Sequence, residues 1–361
     1  MSTNPRIYLD FNATAPIVPA AQAAITSALG EVGNPSSIHA EGRKMRDLVE
    51  RARNQVATLV GRPREQVVFT SGGTEANALG VLGLAAVVEQ RGGPRVVLTT
   101  PIEHPSLRGP VEALRARGWT VRSEGVAGAG LLAVGLVNHE LGTVFDRAVI
   151  DEARTGGLLI HIDAVQATGK LDLSAIPADA MAISAHKIGG PQGIGALALA
   201  IDEGLPIVDG GHQERGRRPG TENTVGIVGF GAAAAIDLAT WPAVVALGDR
   251  LERGLVAIEG VRINGVDRPR IGGTINAGFT GALGESIVVA LDLAGVSVST
   301  GAACTSGSVQ PSAVLLGLGY SAQEAREAVR FSLGRSTTGA EIDRVLALLP
   351  AIVERARRHR A

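Results

Sequence analysis

The chain has little cysteine, few aromatics, no excess of either charge and no long apolar run, and each scarcity closes off a class of protein. A single cysteine among 361 residues rules out an internal disulfide framework. Aromatics are 3% of the chain and the formal net charge is −1, so neither an aromatic base-stacking platform nor a basic nucleic-acid footprint is present, and no direct nucleic-acid partner is expected. The most apolar stretches, such as "ALGVLGLAAVV", are too short and too interrupted by glycine for a membrane span. The opening "MSTNPRIYLD" shows no basic region followed by an apolar one, so a cytoplasmic, reducing compartment is the expectation. No block is of low complexity and no fixed-period repeat occurs. With 45% apolar residues, the chain suits a globular protein of two domains.

What is abundant is an alternation of short apolar runs with helical patterns, the rhythm of a parallel sheet covered by helices. Strands are expected at 66–70, 95–100, 131–137, 158–163, 180–184 and 195–201, with amphipathic helices at 41–60 and 74–90. After about residue 236 the pattern changes to long helices at 241–259, 284–294 and 339–358, with strands near 272–278 and 328–333. The expected architecture is α/β: a large domain over 15–236 with a mainly parallel sheet of the seven-stranded type, and a smaller α+β domain made of 1–14 and 237–361.

Four stretches carry chemistry. In "VVFTSGGTEANALG" a strand runs through small residues into a helix, so N–H groups at the helix start, with the hydroxyls of Ser71 and Thr74, form an anion cradle; a steric need for glycine explains the same turn equally well. In "LLIHIDAVQATGK" an apolar strand ends at Asp163 with Gln166 three residues on, where ligands sit in open α/β sheets. A carboxylate there accepts a hydrogen bond from a protonated ring nitrogen or caps the next helix, and the strand itself leaves both readings open. In "AMAISAHKIGGPQGIGAL" a strand delivers Ser184, His186 and Lys187 to one point before a glycine-rich loop. A lysine at such a crevice has a depressed pKa suited to Schiff-base chemistry; a surface lysine at a strand end is the plainer alternative. Together these three, in this order, are what pyridoxal phosphate needs: a phosphate cradle, a partner for the ring nitrogen and a lysine for the aldehyde. The fourth, "STGAACTSGS", surrounds Cys304 with residues that favour turns over core, which suits a movable thiol.

On these stretches the chain resembles the cysteine desulfurases of the aminotransferase class V, fold-type I group of pyridoxal phosphate enzymes. "YLDFNATAP", "GNPSSIHAEGR", "FTSGGTEAN", "EHPS", "HIDAVQATGK", "SAHKIGGPQGIGAL", "GGHQERGRRPGTEN", "STGAACTSGSVQPS" and "RFSLGRSTT" follow the family order over nearly the whole length. The resemblance implies that Lys187 holds the cofactor, His104 stacks on its ring, Asp163 pairs with the ring nitrogen and Gln166 meets the ring hydroxyl. Gly73, Thr74, Ser184 and His186 would hold the phosphate, and Thr221 would reach the phosphate of a neighbouring subunit, implying a homodimer. Arg335, with Asn12 and His139, would receive the carboxylate of L-cysteine, and Cys304 would take its sulfur as a persulfide for a sulfur acceptor or scaffold protein, for example in iron–sulfur cluster assembly. No metal is implied. Two features depart from the family: His139 in "VNHELG" stands where an asparagine is usual, and only "GVAGAG" remains where a longer segment with a helix is common. Both keep alternatives in play: selenocysteine lyase or another class V activity, and a sulfur-relay or scaffold protein with weak turnover.

Overall fold

A computed structural model describes residues 5–201, 208–301 and 310–358. The chain divides into two compact units. The larger is formed by Ala15–Val137 and Phe145–Leu238, the smaller by Met1–Thr14, Asn138–Val144 and Ala239–Ala361. Sequence patterning placed 138–144 in the large domain. Its backbone instead bonds into the smaller unit, where Ile271 N–H donates to Gly142 O at 3.0 Å and Val144 N–H to Pro269 O at 2.8 Å.

In the larger unit a seven-stranded sheet runs in the order Val67–Thr70, Gly195–Leu199, Ala180–Ser184, Leu159–Asp163, Leu131–Gly135, Val96–Leu98, Thr120–Arg122. Every pairing is parallel except those of Gly195–Leu199, which is antiparallel to both its neighbours. Four central strands are buried at every position but one, as strands of a sheet covered on both faces must be, which is why their sequences read as continuous apolar runs rather than alternating ones. The edge strand Thr120–Arg122 was not expected: three residues, none buried, leave no such run. The helix Ala40–Val60 buries Met45, Val49, Ala52, Val56 and Val60, a spacing of three and four that puts them on one face, and the His39 side chain caps its start by accepting from Gly42 N–H. Between Arg122 and Leu131 there is no helix; Val126 and Ala129 turn inward and are buried, so the shortened segment covers itself.

The smaller unit contains an antiparallel sheet of Ala328–Ser332, Thr274–Phe279 and Val261–Ile263, and a two-stranded parallel pairing of Ile7–Tyr8 with Val296–Ser297. The helices Trp241–Val256, Gly284–Leu293 and Gly339–Arg358 belong to it. Among the described residues no single helix is long and apolar enough to cross a membrane.

Candidate active site

The sheet register aligns the chemistry of the larger unit along one edge. Thr70 and Ser184 both pair with Gly195, Asp163 with Ala182, and Gly135 with Asp163, so the carboxyl ends of neighbouring strands stand in a row. At this edge the turn 71–73 crosses the start of a strand at Gly195, where a Cβ would lie 2.7 Å from Gly72 backbone; only glycine permits that approach. The turn leads into the helix Gly73–Gln90, whose first-turn N–H groups have no partner within the helix. Thr74 is exposed on that turn, and Ser184 is 1% exposed with a hydroxyl that has no hydrogen-bond partner. A buried orphan hydroxyl beside a helix N-terminus fits an anion.

Asp163 is buried and committed on both oxygens: Oδ1 accepts from Val165 N–H at 3.0 Å and Oδ2 from the Asn77 amide at 2.7 Å. Burial pushes its pKa upward, while those two donors and the nearness of His104 and Lys187 pull against it. A carboxylate kept ionised in such a place calls for a cationic partner, as a protonated ring nitrogen would be. Lys187 closes the one-turn 3-10 helix Ala185–Lys187 that follows the strand Ala180–Ser184, and is half-buried. His186 beside it is lowered to about 4, first by burial and then by the Lys187 charge, so it is neutral at pH 7 and has one N–H to donate. Gln166 is buried, and its Oε1 accepts from Lys170 Nζ at 3.3 Å. His104 caps the helix Pro105–Ala116 and is exposed; its Nδ1 accepts from Ser106 N–H at 3.1 Å and lies 2.8 Å from Ser106 Oγ.

Thr221 is exposed and lines a cavity of about 230 Å³ with Thr70, Ser71, Gly193 and Arg218. Its loop is pinned through Glu214, 6% exposed, which takes a two-pronged bond from the buried Arg53 at 2.7 and 2.8 Å and another from Phe69 N–H at 2.8 Å. Glu214 and Arg215 hold left-handed backbone, φ 47° and 59°, a strain that the pin offsets.

The smaller unit carries a second polar cluster. Asn12 is buried and donates to His139 O at 3.1 Å and to Thr274 Oγ1 at 3.0 Å. Arg330, 5% exposed, donates to the same His139 O at 3.1 Å and to Asp10 at 2.7 Å, while its Nε has no partner. Arg335, the arginine singled out from the sequence, is exposed; its Nε donates to Thr240 Oγ1 at 2.7 Å and its guanidinium lies over Trp241, 5.4 Å from the ring centre. The structure thus gathers Asn12, His139 and Arg330. Sequence patterning does not single out Arg330, although an arginine flanked by Val329 and Phe331 in the buried strand "AVRFS" is itself the signal of a buried paired charge. Asn77, Ser106 and His161 are not singled out either. Cys304 lies outside the described residues.

The aminotransferase class-V family model matches residues 7–133 and 126–345. A cysteine desulfurase of Trichormus azollae is 41% identical over 378 residues, covering 97% of this chain and 94% of that protein. Among solved structures, a NifS-like protein superposes with a TM-score of 0.86 at 28% identity, covering 97% of this chain and 98% of its own. SspA in complex with cysteine does so with a TM-score of 0.78 at 27% identity, covering 92% of this chain and all of its own (100%). A seven-stranded α/β unit with a lysine and a buried aspartate at one strand edge, and relatives that share it from end to end, place this chain in the aminotransferase class-V family, among its cysteine desulfurases.

Proposed function

We propose that the protein is a pyridoxal phosphate-dependent cysteine desulfurase that converts L-cysteine to L-alanine and leaves the sulfur on Cys304 as a persulfide. The observation that carries this reading is the pairing of a buried, doubly hydrogen-bonded Asp163 with a nearby Lys187 at the carboxyl edge of the sheet. Lys187 would hold the cofactor, Asp163 its ring nitrogen, His104 the ring face and Gln166 the ring hydroxyl. The Gly73 and Thr74 turn, Ser184 and the neutral His186 would hold its phosphate. When bound, the cofactor supplies an electron sink that acidifies the substrate Cα–H and loosens the bond to sulfur.

The remaining work falls to the chain's own groups. Arg330, whose Nε is buried without a partner, receives the substrate carboxylate in preference to Arg335, with Asn12 and His139 fixing its surroundings. Lys187 would be the base that takes the Cα proton and the acid that returns one. The Cys304 thiolate attacks the substrate sulfur: an S–S bond forms, the carbon–sulfur bond breaks, and the carbon fragment takes up protons to become alanine. Cys304 is the chain's sole thiol, so no other side chain serves as a soft acceptor. The enzyme works as a homodimer in which Thr221 reaches the partner's phosphate, and a sulfur acceptor protein takes the persulfide onward. Purified protein incubated with L-cysteine and a small thiol should yield alanine and sulfide in equal amounts. Alanine without sulfide, or neither from cofactor-loaded protein, refutes it.

A further inference from the structure

Behind the strand edge lies a hydrogen-bond chain that the reaction does not use directly. His161 and Asn77 are both 0% exposed, and His161 Nε2 stands 2.9 Å from Asn77 Oδ1. The amide nitrogen of Asn77 serves two acceptors, Asp163 Oδ2 at 2.7 Å and Ser106 Oγ at 3.0 Å. The polarity of this chain follows from donor counting. With Asp163 ionised, as a cationic ring nitrogen would require, it only accepts, so Asn77 turns its NH₂ toward it. That leaves the Asn77 oxygen facing His161, whose Nε2 must then carry the proton. Its Nδ1 is the bare nitrogen; it has no partner and rests against Gly80, where a Cβ would sit 2.3 Å from it. On the other branch, Ser106 Oγ receives an Asn77 N–H, so its own proton points to His104 Nδ1, which also receives the Ser106 backbone N–H.

We propose that His161, acting as a fixed donor through Asn77, is the positioning residue for Asp163, the group that would meet the cofactor ring nitrogen: it orients the Asn77 amide that holds Asp163 ionised, while the Ser106 backbone N–H already keeps the ring proton of His104 on Nε2. Neither His161 nor Asn77 is exposed, so their part is to set Asp163. Both the polarity, through the ionised state of Asp163, and the role rest on the cofactor reading above. Burial lowers His161 to about 3, so it stays neutral, and its proton stays where the geometry puts it, across the working range.

The test has two arms. Full-length protein labelled with ¹⁵N-histidine, as purified and after removal of bound cofactor, should show by long-range ¹H–¹⁵N correlation a protonated Nε2 and a bare Nδ1 on both His161 and His104, with His161 unchanged between about pH 5 and 9. A proton on His161 Nδ1 reverses the polarity, makes Asp163 the donor and overturns the proposal. In the second arm, equilibrium binding of pyridoxal phosphate and its visible spectrum are compared in His161→Phe, which keeps the ring shape without the donor, and His161→Gln, which keeps a donor at similar reach. The Phe variant should bind the cofactor roughly tenfold to a hundredfold more weakly and shift the pH dependence of its band, and the Gln variant should recover most of both. Equal binding and spectra for Phe and wild type, or equal losses for Phe and Gln, overturn the proposal. Wild-type protein that takes up no pyridoxal phosphate overturns the cofactor reading and with it the role given to Asp163, while the NMR result still decides the polarity.

Discussion

The choice between Arg330 and Arg335 as the carboxylate receptor can be decided by two substitutions. Arg330→Lys keeps a positive charge beside Asp10, 2.7 Å away, but an ammonium cannot serve Asp10, His139 O and a substrate at once as the planar guanidinium does. Losing a charge-assisted bond of this kind costs about 1.5–3 kcal/mol, which is about 10- to 150-fold in kcat/KM for L-cysteine. Arg335→Ala removes an exposed side chain whose contacts include a bond to Thr240 and the face of Trp241. Its expected cost is about 0.5–1 kcal/mol of stability, with kcat/KM within about twofold of wild type. The assay is steady-state alanine formation at matched cofactor occupancy, with urea unfolding alongside to separate stability from binding. The reasoning is refuted if Arg335→Ala loses an order of magnitude in kcat/KM while Arg330→Lys keeps its activity.

Three further outcomes are expected. Glu214→Gln leaves the buried Arg53 with only Glu50 as a charged partner and should cost about 3 kcal/mol in urea unfolding; a loss under about 1 kcal/mol would show that the pin is not needed. Glu103 is pushed up to about 7, mainly by burial and further by Asp163, against donors from Thr100 and Gly135 N–H. Its folded pKa lies above the unfolded value of about 4.3, so its contribution is full below that value and is lost as pH rises through about 7. Glu103→Gln should therefore gain on wild type by up to about 3 kcal/mol between pH 5 and 8, and a constant difference between the two proteins would contradict the assignment. Cys304→Ala should still take up pyridoxal phosphate and change its spectrum with L-cysteine, while sulfide release nearly stops; release at the wild-type rate would remove Cys304 from the reaction.

The central strands and the long helices were legible because burial leaves an unbroken apolar run in the one case and a three-and-four spacing in the other. Thr120–Arg122 and the two-residue strands Ile7–Tyr8 and Val296–Ser297 were not, since pairing so short imposes no pattern on the side chains. At the site, Asp163 and Lys187 stood out because each is a charge that ends an apolar strand. Arg330 and His161 sit inside such strands, where a polar residue marks a partner that is distant in sequence: Arg330 meets Asp10 across 320 positions and His161 meets Asn77 across 84. Spacing cannot disclose such pairs, so the sequence points to the neighbouring Arg335 and is silent on Arg330. The place of 138–144 was hidden for a related reason, because its backbone partners lie near residues 269–271.

The threading of the smaller unit through three separate stretches of chain bears on the order in which the protein is made. Ile7 pairs with Val296 and Asp10 with Ser332, so the strand Ile7–Tyr8 is made long before the segment it pairs with. Every strand of the larger sheet is already synthesised by Leu199. The larger unit can therefore settle during synthesis, while the smaller one, whose segments 7–10 and 142–144 bond to partners beyond residue 268, must close late and at the greater cost in loop entropy. A nascent chain halted before residue 295 should protect the amides of the large sheet from exchange and leave Ile7 and Leu9 open, since they donate to Gly295 O and Ser297 O.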